Sequence, residues 1–325
     1  MDVQQRYITG TPGARAWLKA AEQAVGNHSD RLNAINVFPV PDGDTGSNLY
    51  QTIKTASSVA SRSDADDWGA VLAAAANAAL DDARGNSGTL FAVFLTGFAE
   101  PLAGRERLTA ALLYEALERG QLRSWSALTD PVEGTMLSAM SSASAALRAA
   151  AGPERDESNA SLVRTLDLAI EGVRGAVLRS EAELGALARA HVVDAGAVGF
   201  LLIMESLRAA ITQRPFDDTA LEELHGYRIQ DRHVHADFDG DDGIEFMCSV
   251  ALTPLEAASL RAELDGLGES VIMSALNLPG DANHRWRIHV HVADAEAALA
   301  VVERYGAPEN VSVTELSGDS AARRD

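Results

Sequence analysis

Two aspartates in a turn rich in proline and glycine are the side chains of this sequence best suited to bind a metal ion. Asp42 and Asp44 lie in the segment Asn33–Asn48, which also holds two prolines, two glycines and three asparagines. Proline interrupts a helix, and glycine lets a ligand approach the backbone closely. Carboxylates in such a turn suit a hard cation, and Mg²⁺ is commonly held by one or two carboxylates together with substrate phosphates. The plainer alternative is an Asx-rich turn that caps the following helix.

Three more glycine turns stand in front of helical patterns further along the chain. They are Ala83–Thr89 before an apolar helix predicted over Leu90–Phe98, Asp130–Leu137 before a helix over 135–151, and His191–Gly199 before an apolar helix over Phe200–Ile211. The backbone N–H groups at a helix N-terminus can accept phosphate. Glycine turns with a serine or threonine cap are also common as plain connectors, so the turns alone leave both interpretations open.

The best-known nucleotide and metal motifs are absent from the sequence. There is no G-x-x-x-x-G-K-[ST] phosphate loop, no protein-kinase motif set and no G-x-S-x-G nucleophile turn. An EF-hand starting at Asp42 would need glycine at position six and glutamate at position twelve, whereas Gly46 falls at position five and Ile53 at position twelve. What remains is a phosphate site bridged by Mg²⁺, in which the cation neutralises charge that a phosphate-loop lysine neutralises elsewhere.

The elements that must position these loops fall into two parts. The first 212 residues show about eight to ten helices and no convincing strand, which predicts an all-α domain with its glycine turns gathered at one end. Residues 213–242 are polar and turn-forming and are expected to be a linker. Residues 243–316 read as β-α-β-β-α-β, the order of a ferredoxin-like α+β domain, and 317–325 are expected to be a disordered tail.

Composition limits the classes of partner and compartment. The net charge of −20 and the pI near 4.7 argue against binding to nucleic acid or to an anionic membrane, which depend on basic patches. No signal peptide and no run of about 18 apolar residues are found, so no membrane span is expected. The single cysteine, Cys248, excludes an intrachain disulfide and fits the reducing cytoplasm. The pair His233 and His235 in the acidic linker is expected to be solvated.

The loop and the turns together carry a resemblance to a known family. Asn36–Asn48 closely resembles the metal and nucleotide loop of the dihydroxyacetone kinase L-subunit (DhaL-type) domain, in the version found in the catalytic subunit of bacterial fatty acid kinase. The three glycine turns match further motifs of that family in the same order. The last part of the chain resembles the middle domain of that catalytic subunit through Glu245–Val250 and Arg287–Val292. The resemblance therefore covers nearly the whole chain.

The resemblance implies an up-and-down barrel of about eight helices whose loops at one end bind ATP with two Mg²⁺ ions. Asp42 and Asp44 would be the catalytic metal ligands. Asn36 stands where dihydroxyacetone kinase relatives carry a third aspartate, and would be a weaker, neutral ligand. The residues that would contact phosphates, ribose or base are Thr45, Gly46, Ser47, Asn48, Asn86, Ser87, Gly88, Gly134, Thr135, Asp194, Ala195 and Gly196.

The reaction that the resemblance implies is phosphoryl transfer to a fatty acid. The γ-phosphoryl group of ATP goes to the carboxylate of a fatty acid that a separate lipid-binding protein presents, and catalysis is mostly positioning and charge neutralisation. Two alternatives stay open: a kinase acting on dihydroxyacetone, and a regulator that binds ATP without transferring phosphate. The second is raised by a third domain that the family's catalytic subunit normally carries and that we expect this chain to lack. Relatives also dimerise, so a homodimer is expected.

A second metal site is predicted on the strands of the last domain. His289 and His291 project from one face of a predicted strand, and the resemblance implies structural Zn²⁺ there, held in relatives with a cysteine from the first strand. Gly243 stands at that cysteine position, and strand alternation sends Cys248 to the opposite face. Glu245 keeps the right face and is the expected third ligand, through oxygen. The alternative is an ordinary half-buried pair of strand histidines.

Overall fold

The computed structural model of the chain describes residues 7–150, 156–214, 216, 221, 224–227, 244–276 and 284–315. The predicted tail (317–325), the pair His233 and His235, and most of the predicted linker lie outside these residues. The division of the chain into domains at residues 212 and 243 stays a prediction.

The described residues before 228 are mainly helical. The α-helices are α1 (Thr11–Ala34), α2 (Thr45–Arg62), α3 (Trp68–Asp81), α4 (Gly85–Ala99), α5 (Ala110–Ala127), α6 (Met136–Ala149), α7 (Asn159–Glu183), α8 (Gly185–Ala190) and α9 (Ala195–Thr212). A short 3-10 helix, Glu100–Leu102, follows α4. The helices enclose one continuous apolar core, as predicted for a mostly helical domain.

Periodic apolar residues explain why these helices form and which face each one buries. The stripe predicted for α2 (Leu49, Ile53, Ala56 and Ala60) is fully buried, which confirms that prediction. Helices α4 and α9 are apolar on all sides and are buried along most of their length. Both begin earlier than predicted, at Gly85 and Ala195, because the glycine turns themselves form the first helical turn.

Helix α9 also resembles a membrane span in length and apolar composition. Among the described residues it alone meets those two criteria, and 78% of the stretch Ala195–Thr212 is buried inside the protein. It packs against α1, α6 and α7. Burial in the helical core accounts for its apolar character.

The last part of the chain is a four-stranded antiparallel sheet with two helices. The elements are β1 (Ile244–Leu252), α10 (Pro254–Asp265), β2 (Gly268–Leu276), β3 (His284–Val292), α11 (Ala295–Glu303) and β4 (Glu309–Glu315). The strand order in the sheet is β2-β3-β1-β4. The β-α-β-β-α-β sequence of elements agrees with the prediction. Thr253 and Glu256 form a capping box that starts α10.

The two faces of this sheet contact different parts of the protein. Phe246, Cys248 and Val250 of β1 lie in a small apolar core with α10 and α11. Met247 of β1 and Ile272 of β2 instead belong to the core of the helical part. The predicted placement of Cys248, on the face opposite Glu245, is therefore confirmed. The face that carries Glu245 is turned toward the helices.

Arg261 of α10 joins the sheet to the helical part. Its guanidinium donates hydrogen bonds to the carbonyl oxygens of Ser126 (3.2 Å) and Ala127 (2.8 Å), where α5 ends, and to that of Met273 in β2 (3.1 Å). Carbonyl groups at a helix C-terminus lack partners within the helix, so these bonds satisfy acceptors that would otherwise be unpaired. The position of the sheet against α4 and α5 is fixed in part by this contact.

Candidate functional site

The N-termini of α2 and α4 meet at one end of the helical part. Ser87 donates a hydrogen bond from Oγ to the carbonyl oxygen of Thr45, at 3.2 Å. Gly85 adopts a left-handed φ of +59°, and a Cβ there would lie 2.3 Å from Nδ2 of Asn48. The close approach of the first two glycine turns therefore depends on glycine at position 85.

The N-termini of α6 and α9 lie at the same end. The carboxylate of Asp194, which is the N-cap of α9, accepts hydrogen bonds from backbone N–H groups of both helices, including those of Met136 and Gly196. One turn into α9, a Cβ on Gly199 would lie 2.5 Å from the side chain of Leu49 in α2. These contacts bring the turns at 134–136 and 194–196 together and place all four helix N-termini at one end.

Hydrogen bonds from Asn36 hold the acidic loop in shape. Its amide nitrogen donates to the carbonyl oxygen of Val40 (2.8 Å) and to the carboxylate of Asp42 (2.9 Å). Its amide oxygen accepts a hydrogen bond from the hydroxyl of Thr45. Asn36 is 3% exposed and therefore orients Asp42 from inside the loop. Its role as a metal ligand stays a prediction.

Asn33, at the end of α1, caps helix α2. Its side-chain oxygen accepts hydrogen bonds from the backbone N–H groups of Gly46 (2.7 Å) and Ser47 (3.1 Å). Asp44 occupies the N-cap position of α2 without a capping bond from its own side chain. The plainer interpretation, an Asx-rich turn that caps the following helix, therefore holds through Asn33, and the carboxylate of Asp44 is not used as a cap. The amides of Gly46 and Ser47 point at Asn33, and their contact with phosphate stays a prediction.

A small cavity of about 20 Å³ lies between the acidic loop, the start of α4 and the sheet. Its lining residues are Asn36, Pro39, Val40, Asp42, Asp44, Thr45, Gly85, Asn86, Ser87, Glu245 and His291. A volume of this size holds one water molecule or one ion. The structure thus brings six of the residues predicted for the metal and phosphates into one place, and adds two residues from the sheet that were predicted for a different metal.

Carboxylates in the cavity repel each other in the absence of a cation. Burial, the charge of Asp44 and, more weakly, that of Glu245 raise the pKa of Asp42 to about 8. Burial and the charge of Asp44 likewise raise the pKa of Glu245 to about 7, although the backbone N–H of Gly85 and the charge of Arg287 oppose the shift. Such shifts mark a site where a bound cation would stabilise the charged carboxylates.

The sheet carries a second group of ligand atoms beside the cavity. Ligand atoms of Glu245, His289 and His291 lie within 4.8 Å of one another. Nδ1 of His289 is 3.4 Å from the nearer oxygen of Glu245, and in the described residues neither His289 nitrogen has a hydrogen-bond partner. Burial keeps the pKa of His289 well below its ordinary value and lowers that of His291 to about 4. Neutral, unpaired imidazoles beside a carboxylate fit a transition metal such as Zn²⁺.

The other predicted nucleotide residues shape the surrounding turns. The side-chain oxygen of Asn86 is buried and has no partner among the described residues, so it is available to a ligand. Thr135 caps α6, and Gly134, at φ +81°, donates its N–H to Ser138. Gly88 packs against Thr52. These turn residues other than Asn86 do not line the small cavity.

Burial raises the pKa of Asp194 to about 7, although three backbone N–H groups hydrogen-bond to its carboxylate. It is 5% exposed, and Ala195 beside it is buried as well. Asp194 therefore holds two helix N-termini together in this structure, and its contact with a base or ribose stays a prediction.

Family profiles match both parts of the chain. The DAK2 domain profile matches residues 39–209, and the profile of the FakA-like middle domain of fatty acid kinase matches residues 244–323. The first match alone covers more than half of the 325 residues. It includes both aspartates of the acidic loop, and the second match includes Glu245 and both histidines.

Similar proteins include Protein YloV of Bacillus subtilis (strain 168), which is 26% identical over 297 residues covering 88% of this chain and 52% of YloV. An uncharacterized protein of Staphylococcus aureus (strain bovine RF122 / ET3-1) is 22% identical over 292 residues, covering 87% of this chain and 51% of that protein. The chain thus spans about half the length of these curated relatives. A solved structure of the dihydroxyacetone kinase from C. freundii with AMP-PNP and Mg²⁺ aligns with a TM-score of 0.46 and 17% identity, covering 65% of this chain and 36% of that chain. On its sequence matches, the chain belongs to the DAK2 domain family, a kinase family, and carries a FakA-like fatty acid kinase middle domain after its DAK2 domain.

Proposed function

We propose that this chain is an ATP- and Mg²⁺-dependent phosphotransferase of the fatty acid kinase and dihydroxyacetone kinase family. The observation that carries the proposal is the convergence of Asp42 and Asp44 with Asn86 and Ser87, at the start of α4, around one ion-sized cavity in a DAK2 domain. Metal-assisted phosphoryl transfer requires carboxylates that bind a divalent cation and polar groups at a helix N-terminus that bind phosphate.

The roles of the residues follow from their surroundings. Asp42 and Asp44 hold the cation, and Asn36 orients Asp42 through its amide nitrogen. Asn86 binds the cation or accepts a hydrogen bond from a water molecule on it, because its buried side-chain oxygen has no partner among the described residues. Bound Mg²⁺ would supply neutralisation of the charge on the transferred phosphoryl group. Catalysis by the protein is then mainly the positioning of donor and acceptor.

The acceptor in this proposal is the carboxylate of a fatty acid presented by a separate lipid-binding protein. A carboxylate oxygen forms a bond to the γ-phosphorus while the bond from that phosphorus to the β,γ-bridging oxygen breaks, giving an acyl phosphate and ADP. The match to a FakA-like fatty acid kinase middle domain supports this acceptor over a small hydroxyl compound. The proposal further includes a cytoplasmic homodimer, an up-and-down helical barrel and a ferredoxin-like second domain.

The His289 and His291 pair with Glu245 is proposed to hold a structural Zn²⁺ ion. Its support is the buried nitrogens without partners among the described residues and the 4.8 Å grouping of the ligand atoms. Structural zinc usually has four ligands, and the three residues found here would leave one position to another donor.

The test of the metal assignment is the variant Asp44→Asn compared with Asp64→Asn, an exposed aspartate in the loop after α2. Calorimetric titration with ATP and Mg²⁺ is expected to show binding to the wild type and to the Asp64 variant, and binding weakened by at least about tenfold in the Asp44 variant. Equal binding by all three proteins would contradict the assignment.

The acceptor is tested by following ADP formation with two candidate substrates. One is a fatty acid loaded on a lipid-binding protein, and the other is dihydroxyacetone. Turnover with the first only is the expected result, and turnover with the second only would identify the hydroxyl kinase. ATP binding without turnover of either would identify the non-catalytic regulator.

A further inference from the structure

Glu245 lies between two sets of ligand atoms that come from different parts of the chain. On one side, it lines the ion-sized cavity together with Asp42 and Asp44 of the helical part. On the other side, its ligand oxygen lies within 4.8 Å of ligand atoms of His289 and His291 in the sheet. A carboxylate has two oxygens and several lone pairs, so one side chain can serve both sets.

The acidic loop by itself offers few charged ligands. Asp42 and Asp44 are its two carboxylates, and the amide oxygen of Asn36, the atom of that side chain that could bind a cation, already accepts a hydrogen bond from the hydroxyl of Thr45. Glu245 is the third carboxylate lining the cavity. It is 8% exposed and shares the lining of this small cavity with both aspartates. The sheet thus contributes the anionic group that the loop lacks.

His291 is the independent observation that points to a ligand at this place. It is 6% exposed, it lines the same cavity, and its Nδ1 atom has no hydrogen-bond partner among the described residues. A buried polar atom without a partner is costly, and a bound cation would satisfy it. Two aspartates from the loop, and Glu245 with an unpaired imidazole from neighbouring strands of the sheet, make the cavity a cation site rather than a packing gap.

We propose that Glu245 is a shared ligand, which completes the cation site of Asp42 and Asp44 and also belongs to the histidine site of the sheet, so that cation binding fastens the sheet domain to the helical domain. The proposal rests on the proposed function only in taking Asp42 and Asp44 as cation ligands. It assigns Glu245 a positioning role between two domains, and it requires no nucleotide.

The test uses the full chain without nucleotide, with MgCl₂ and ZnCl₂ as separate probes. Magnesium prefers oxygen ligands, whereas zinc takes imidazole readily, so the two ions report on the two sides of Glu245. The variants are Asp44→Asn for the loop side, His291→Gln for the histidine side, and Glu245→Gln for the shared position. Glu303→Gln, an exposed glutamate at the end of α11, is the matched control.

Mg²⁺ binding is measured by hydrogen exchange of backbone amides over a titration, and Zn²⁺ affinity by competition with a chromophoric chelator. In the wild type, Mg²⁺ is expected to slow the hydrogen exchange of backbone amides in β1 and β3, although its ligands Asp42 and Asp44 lie in the helical part. Asp44→Asn should abolish that protection and leave Zn²⁺ affinity unchanged. His291→Gln should weaken Zn²⁺ by at least about tenfold and keep the protection by Mg²⁺.

Glu245→Gln is expected to lose both the protection of amides by Mg²⁺ and the affinity for Zn²⁺, whereas Glu303→Gln is expected to keep both. Loss of one response only, or of none, would overturn the shared role of Glu245. Far-UV circular dichroism and the urea midpoint of the metal-free Glu245→Gln chain, compared with those of the wild type, separate loss of binding from loss of folding. A chain that binds Mg²⁺ as expected but no ATP would contradict the proposed function and leave this inference supported.

Discussion

Replacing Gly85 by alanine tests whether the first two glycine turns are held together as the structure describes. Gly85 has φ +59°, a conformation that costs a residue with a Cβ about 1–2 kcal/mol. The added Cβ would lie 2.3 Å from Nδ2 of Asn48, closer than atoms approach without a shift of the backbone or of that side chain. Overpacking of this kind costs about 1–3 kcal/mol. Gly85→Ala is therefore expected to lower the free energy of unfolding by about 2–5 kcal/mol.

Two further variants separate the conformational cost from the steric cost. Gly104 has φ +70° and no atom within 4 Å of an added Cβ, so Gly104→Ala should lower the free energy of unfolding by the conformational part alone, about 1–2 kcal/mol. Combining Gly85→Ala with Asn48→Ala removes the clash. The double variant should therefore lose less than the sum of the two single variants.

The assay is urea unfolding followed by far-UV circular dichroism, with the midpoint and slope fitted for each variant. A loss for Gly85→Ala no larger than that for Gly104→Ala would refute the close contact between the two turns. Strict additivity in the Gly85–Asn48 cycle would refute it as well.

Two more predictions concern buried ionisable groups. Asp194 has a pKa of about 7 in the folded chain against an ordinary 3.8, so the folded state retains a proton that the unfolded state has lost between these values. The free energy of unfolding of the wild type should therefore fall as pH rises from about 4 to 7, by up to about 4 kcal/mol relative to that of Asp194→Asn. Urea titrations of both proteins across this pH range measure the difference, and a difference that does not change with pH would contradict the prediction. Cys248 is fully buried, and burial raises the pKa of its thiol to about 12. It should fail to react with a thiol reagent at pH 8 until the chain is unfolded, and labelling of the folded chain would contradict its placement.

Most of the secondary structure follows from local patterns in the sequence. The buried stripe of α2 has helical spacing, and the alternation in β1 places Cys248 and Glu245 on opposite faces. The starts of α4 and α9 were harder to predict, because the first turn of each contains glycine, a weak helix former. Tertiary contacts hold these turns in helical geometry, with Gly85 of α4 against Asn48 and Gly199 of α9 against Leu49. Local propensity does not report such contacts.

The candidate site was predictable only in its separate parts. The spacing of Asp42 and Asp44 indicates a cation loop, and the two histidines of β3 indicate a second metal site. No pattern indicates that Glu245 and His291 would line one cavity with Asp42 and Asp44, because the residues lie about 200 positions apart and meet only through the packing of the sheet on α4. Asn33 was also missed as a cap, since it precedes Gly46 by thirteen residues instead of standing at the helix start.

The hydrogen bonds of Asn33 and Asn36 bear on which ion the loop prefers. Asn33 fixes the start of α2, and Asn36 fixes Val40 and Asp42, so folding sets the positions of the carboxylates before any ion arrives. Mg²⁺ takes its ligands at about 2.0–2.1 Å, whereas Ca²⁺ needs about 2.3–2.6 Å and more of them. A loop held in this way resists the expansion that the larger ion demands. The preference for Mg²⁺ over Ca²⁺, two cations of equal charge, would then originate in the side-chain amides of Asn33 and Asn36, which hydrogen-bond to the protein.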